Sequence, residues 1–199
     1  MTPAPDVRPE LEQLGGEHRI VFAASCCERL LPAYEAFSNE DDWGDAGVLR
    51  EALDAVWSAV PGSGLHEGDA RRLAAEVEEQ VPDLDDPFTS VFTAPAQNAA
   101  VAVVRCVECA GSGSADDAGK VADASIDAFE AYVDQTEGEG SEFDAERVTS
   151  SPVYKGEVSD QQRDLATLAE HAELEPEVVE QIRARSRATG FAKVVPSRR

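Results

Sequence analysis

The sequence predicts an all-α protein, a single-domain bundle of about seven or eight helices over residues 1–199. Three observations carry this. Apolar residues recur at three- and four-residue steps along most of the chain. The segments so marked are separated by proline, glycine and helix-capping residues. Only Val101 to Val107 is β-branched enough to read as a strand, and no second stretch exists to pair with it.

The elements follow in order. Phe22, Cys26, Leu30, Tyr34 and Phe37 lie on one helical face, with Pro32 expected to kink or interrupt the run. Asn39 to Gly44 reads as a polar turn, after which Asp45 caps a second helix. That helix turns Leu49, Leu53, Val56, Trp57 and Val60 inward and stops at Pro61-Gly62. Asp69 to Val81 forms a third, with Leu73, Val77 and Val81 inward. Asp83 to Pro87 is an acidic turn, and Phe88 to Val91 a short helical piece. Thr93-Ala94-Pro95 opens a helix running from Ala96 to Ala110, apolar on most faces and therefore central. After Gly111-Ser112-Gly113, Ser114 and Asp117 make a capping box for a helix with Val121, Ala124, Ser125, Ala128 and Tyr132 on one face. Residues 136–151, acidic and glycine-rich, read as a mobile loop. Ser159 with Gln162 opens a further helix with Leu165, Leu168 and Ala172 inward, and Pro176 starts the last, which ends at Gly190.

Charge excludes whole classes of function. The chain has 40 acidic and 17 basic residues, a net charge of −23. Such a body repels phosphate backbones, so nucleic acid is not an expected partner. No apolar run reaches the roughly 20 residues needed to span a bilayer, so no membrane is expected either. Four cysteines without a signal-like start read as reduced thiols in a cytoplasm. Only three bases are lysine, which fits a salt-adapted host or arginine-favouring codon usage equally. The distribution is uneven: residues 181–199 carry six bases and no acid. This basic tail, Arg183 to Arg199, is expected to dock on its own acidic domain.

Assembled chemistry is scarce. Cys106 and Cys109 form a C-x-x-C and Cys26-Cys27 a second pair, yet adjacent helical residues point about 100° apart, so buried apolar filler is the reading rather than zinc. His18, His66 and His171 read as exposed helix-end residues. No nucleophile elbow, phosphate loop or dinucleotide fingerprint occurs, and no metal, cofactor or catalytic residue is expected. One constellation stands out. Glu28 and Arg29 on the first helix, with Arg50 and Asp54 at i, i+4 on the second, are expected to form a partly buried cluster, with Trp43 and Trp57 shielding it.

The runs Arg19-Ile20-Val21-Phe22, Cys27-Glu28-Arg29, Pro32-x-Tyr34-x-x-Phe37, Trp43-Gly44-Asp45 and Leu49-Arg50-x-x-Leu53-Asp54-x-x-Trp57 resemble the YjaG-like bacterial family, number 416 in the domain-of-unknown-function series. The resemblance is dense over residues 11–57 and looser beyond. It implies an all-helical fold and, without established biochemistry, an association with signalling histidine kinases. It also singles out Cys27, Glu28, Arg29, Trp43, Asp45, Arg50, Asp54 and Trp57 as a candidate structural or binding cluster. The C-terminal run Gly190 to Val194 and the acidic stretch Glu137 to Glu146 depart from the family pattern. The expected function is a non-enzymatic interaction or signalling-accessory protein with a protein partner still to be identified, self-association being left open. An immunity-type inhibitor of a basic toxin is the alternative, and an enzyme built on a Glu28/Arg50/Asp54 pocket the third.

Overall fold

In the computed structural model, which describes residues 4–62, 64–138 and 143–195, caps and breakers divide the chain into nine α-helices among those residues. They are α1 (Arg8–Gln13), α2 (Gly16–Asp41), α3 (Ala46–Ala59), α4 (Glu67–Glu78), α5 (Thr93–Ser112), α6 (Ala115–Glu137), α7 (Ala145–Ser150), α8 (Pro152–Ala169) and α9 (Pro176–Arg187). Short 3₁₀ turns follow α3 at Val60–Gly62 and α9 at Gly190–Lys193. The described residues include no strand, so the valine-rich stretch is helical, inside α5.

Two helices form the axis. α2 is buried on nearly every face between His18 and Phe37, and α5 packs against α2, α3, α4 and α6. α8 and α9 cover the outer side of α2. The 3₁₀ turn after α9 inserts Phe191, whose ring stacks on Phe129 at 4.2 Å. Gly190 makes that insertion, at φ 61 with its backbone against that of Arg29.

Caps fall where side-chain chemistry dictates. Asp45 accepts from Gly47 N at 2.8 Å, and Ser114 accepts from Asp117 N at 3.2 Å. Other expectations need correction. α2 runs unbroken through Pro32 to Asp41, because the burial of Leu31, Ala33, Tyr34, Ala36 and Phe37 around it outweighs one lost hydrogen bond, and the turn is made by left-handed Asp42. α4 starts and ends earlier than expected, leaving Val81 outside it. Phe88 to Val91 is not helical: Asp41 accepts from Thr89 N and Ser90 N, both at 3.1 Å, which diverts those groups from a helix ladder.

The largest corrections lie toward the C-terminus. Of the expected loop, residues 136–137 finish α6, and 145–150 form α7 with Asp144 accepting from Glu146 N and Arg147 N. Residues 139–142 of that loop, and 196–199 of the basic tail, lie outside the described residues. α8 begins at Pro152 under a Ser151 cap, not at Ser159, and ends before Ala172, which is exposed. α9 ends at Arg187. His18 is buried, its Nε2 donating to the His171 carbonyl at 2.7 Å, whereas His66 is exposed as expected. No helix among the described residues is long and apolar enough to cross a membrane.

Candidate functional site

Glu28 and Arg29 are neighbours in sequence and face different partners. Successive helical residues diverge by about 100°, so Glu28 turns toward α3 and α9 while Arg29 turns toward α8. The single expected cluster is two networks.

The outer one surrounds Glu28, whose side chain is fully buried. Arg50 forks onto it, Nη1 to Oε1 and Nη2 to Oε2, both at 2.9 Å. Arg183 Nε reaches Oε1 and Arg187 Nε reaches Oε2, each at 3.3 Å. The same three guanidiniums meet a second acceptor, Asp54 Oδ1: Arg50 Nη1 and Arg187 Nη2 at 3.5 Å, and Arg183 Nη2 more closely. Arg183 also lies over the Trp57 ring, 5.4 Å from its centroid. Burial pushes the Glu28 carboxyl up, but the hydrogen bonds and charge of Arg50, then of Arg187, outweigh it and hold the group below its ordinary value. Burial pushes the Arg50 guanidinium down, and its bonds to Glu28 outweigh that to raise it.

The inner network is closed to water. Arg29, 1% exposed, donates from Nε to Glu157 Oε2 at 2.7 Å, from Nη2 to Oε1 at 3.0 Å and from Nη1 to Asp164 Oδ2 at 2.7 Å. Ser125 and Gln161 complete Glu157, at 2.8 and 3.0 Å. Ser25 and Arg185 complete Asp164, at 2.7 and 2.6 Å. Every member has partners, as a buried polar network requires. A small cleft of about 170 Å³ between α8 and Gly190 to Val194 touches Glu157 from outside. Larger clefts lie elsewhere, about 690 Å³ between α4 and α5 and about 460 Å³ between α1 and α8.

The remaining singled-out residues separate from these networks. Trp43 packs on Phe37 and Phe88 at 5.8 and 5.5 Å, and so shields the α2–α3 turn rather than the charges. Asp45 is spent on its cap. Cys27 is buried beside Cys106 between α2 and α5, and all four cysteines are free. Burial raises the Cys26, Cys27 and Cys109 thiols, and hydrogen bonding to Cys27 with burial raises Cys106, so the thiol forms are favoured. Among the described residues no three of His, Cys, Asp and Glu converge so as to hold a metal ion.

Sequence reasoning joined Glu28, Arg50 and Asp54, which the fold brings together, and misplaced Arg29 and Trp43. It missed Arg183 and Arg187 as members of that cluster, and Glu157 and Asp164 altogether. The abrupt basic turn of the tail was the one signal pointing to the arginines.

Comparison with known proteins gives a consistent context. A family described as "Protein of unknown function (DUF416)" matches residues 6–194. The chain is similar to the uncharacterized protein YjaG of Escherichia coli K12, 29% identical over 185 residues and 92% of each chain. Similarity to its Salmonella typhimurium LT2 counterpart is 27% over 185 residues, again 92% of each. The crystal structure of a DUF416 family protein from Shewanella baltica OS155 superimposes with a TM-score of 0.76 at 22% identity, covering 90% of this chain and 92% of that one, a likeness of fold.

Proposed function

We infer, from the premise that this chain belongs to the DUF416 family of proteins of unknown function, that it acts as a non-enzymatic interaction protein whose α2–α3–α9 seam receives an acidic partner protein. One observation carries the reading: three guanidiniums share two carboxylates there, a local surplus of positive charge on a chain of net charge −23. A surplus left half-exposed, with Arg187 46% open to solvent, favours an incoming negative group. The acidic body around it repels that group everywhere else, which confers orientation.

Catalysis is less well supported by the same atoms. Both Glu28 oxygens accept from arginine forks, and a general base needs an open lone pair and a value near working pH. The test is comparative affinity capture from the native host with wild type and Arg187→Gln, each used well below its own melting temperature. A protein retained by wild type, lost by folded Arg187→Gln, and released by salt is the expected result. Identical captured sets from both proteins remove the reading.

A further inference from the structure

Asp54 Oδ1 is the point where the three guanidiniums converge: Arg50 from its own helix, Arg183 and Arg187 from α9. We propose that this point is an oxyanion site, and that a phosphate monoester on the partner occupies it by displacing the Asp54 side chain. The proposal rests on the seam being the interaction surface and adds the chemistry of what it recognises.

Three features support it. First, Asp54 is displaceable: its side chain is 47% exposed, whereas Glu28 beneath it is fully buried and stays. Second, the charges balance. With Asp54 swung out, three guanidiniums face the one carboxylate of Glu28, a surplus of two that matches a phosphate dianion. A partner carboxylate would only exchange like for like. Third, donors remain. Arg183 Nη1, Arg187 Nη1 and Arg50 Nε donate to no group among the described residues, and a tetrahedral oxyanion offers oxygens to forks arriving from several sides. Trp57 under Arg183 holds one fork in place, which lessens the ordering that binding requires. The net charge of −23 repels a run of phosphates such as a nucleic acid backbone, whereas a single monoester matches the local surplus.

The experiment is calorimetric titration of the full chain with inorganic phosphate, phosphoserine and acetate at constant ionic strength. Wild type, Asp54→Asn, Arg187→Gln and Arg187→Lys are compared, each checked for folding by its melting curve. Phosphate and phosphoserine bind and acetate binds more weakly. Arg187→Gln weakens phosphate by about tenfold or more, and Asp54→Asn, freed of its built-in competitor, tightens it by about tenfold. Arg187→Lys, which keeps the charge and loses the fork, falls between. Acetate binding as tightly as phosphate overturns the phosphate assignment. An unchanged affinity in Asp54→Asn or Arg187→Gln overturns the site, as does phosphate binding without phosphoserine binding. If partner capture depends on Arg187 while phosphate has no effect, the interaction surface stands and the oxyanion site does not. Phosphate binding without Arg187-dependent capture keeps the site and removes the protein partner.

Discussion

Replacing Arg29 with methionine tests what the inner network contributes. The substitution keeps an apolar stem of similar length and deletes a guanidinium that is 1% exposed. Asp164 keeps Arg185 at 2.6 Å and Ser25 at 2.7 Å, so it remains paired. Glu157 loses both bonds from Arg29 and keeps only neutral donors, Ser125 and Gln161. A charge pair about 4 Å apart at an effective dielectric of about 20 is worth roughly 4 kcal/mol. Breaking a buried pair by removing one partner costs about 3–5 kcal/mol. For a chain of this length each kcal/mol moves the melting temperature by about 2–4 °C, so Arg29→Met should melt roughly 6–20 °C lower. Differential scanning calorimetry at neutral pH, with urea unfolding as a second measure, reads the change. The double variant Arg29→Met/Glu157→Gln removes both charges and should recover most of the loss, because the penalty lies in the uncompensated carboxylate. A single variant melting within about 2 °C of wild type, or a double variant as unstable as the sum of the singles, would refute the reasoning.

Three further outcomes follow from the same geometry. Arg50→Ala leaves Glu28 with Arg183 and Arg187, so its cost is expected at about 1–2 kcal/mol, clearly below that of Arg29→Met in parallel melts. Glu28 is held below its ordinary carboxyl value in the fold, so its contribution is complete above the unfolded value near about 4.3 and is lost as pH falls through the folded one. Melting temperatures followed from pH 7 to pH 3 should therefore show Glu28→Gln well below wild type at neutral pH and the gap closing in acid; a constant gap contradicts the assignment. Gly190→Ala would place a Cβ 2.5 Å from that of Arg29 at φ 61, and a loss of about 1–3 kcal/mol in urea unfolding is expected.

The legible parts of this chain are those where burial is apolar. α3 and α5 show their faces in the spacing of Leu49, Leu53 and Val56, and in the alanines and valines between Ala96 and Ala110. α8 hides its face because Glu157, Gln161 and Asp164 lie on it, and buried polar residues look like surface to any periodicity argument. Its start is marked by Ser151-Pro152, a cap followed by a first-turn proline, at the edge of an acidic, glycine-rich stretch. The divergence of adjacent helical positions that parts Cys26 from Cys27 parts Glu28 from Arg29 equally, which is why the two charges serve different networks.

The same contrast explains how α9 is held. It buries only Ile182 and Ser186 fully, with Val178 and Val179 partly buried against the core, a narrow apolar stripe for a twelve-residue helix. Arg183, Arg185 and Arg187 supply the remainder, and their targets are acids already sunk into the body: Glu28 on α2 and Asp164 on α8, with Asp54 at the rim. On a chain with 40 acids, a cation has many exposed carboxylates to choose from, and those cost little to leave unpaired. A buried carboxylate is different, because without its cation it carries the full desolvation penalty. The two fully buried targets therefore fix where α9 sits, and Phe191 locks the end of the segment against Phe129. Asp54, the rim target, is the one whose pairing the fold can give up, which makes it the replaceable position in the cluster.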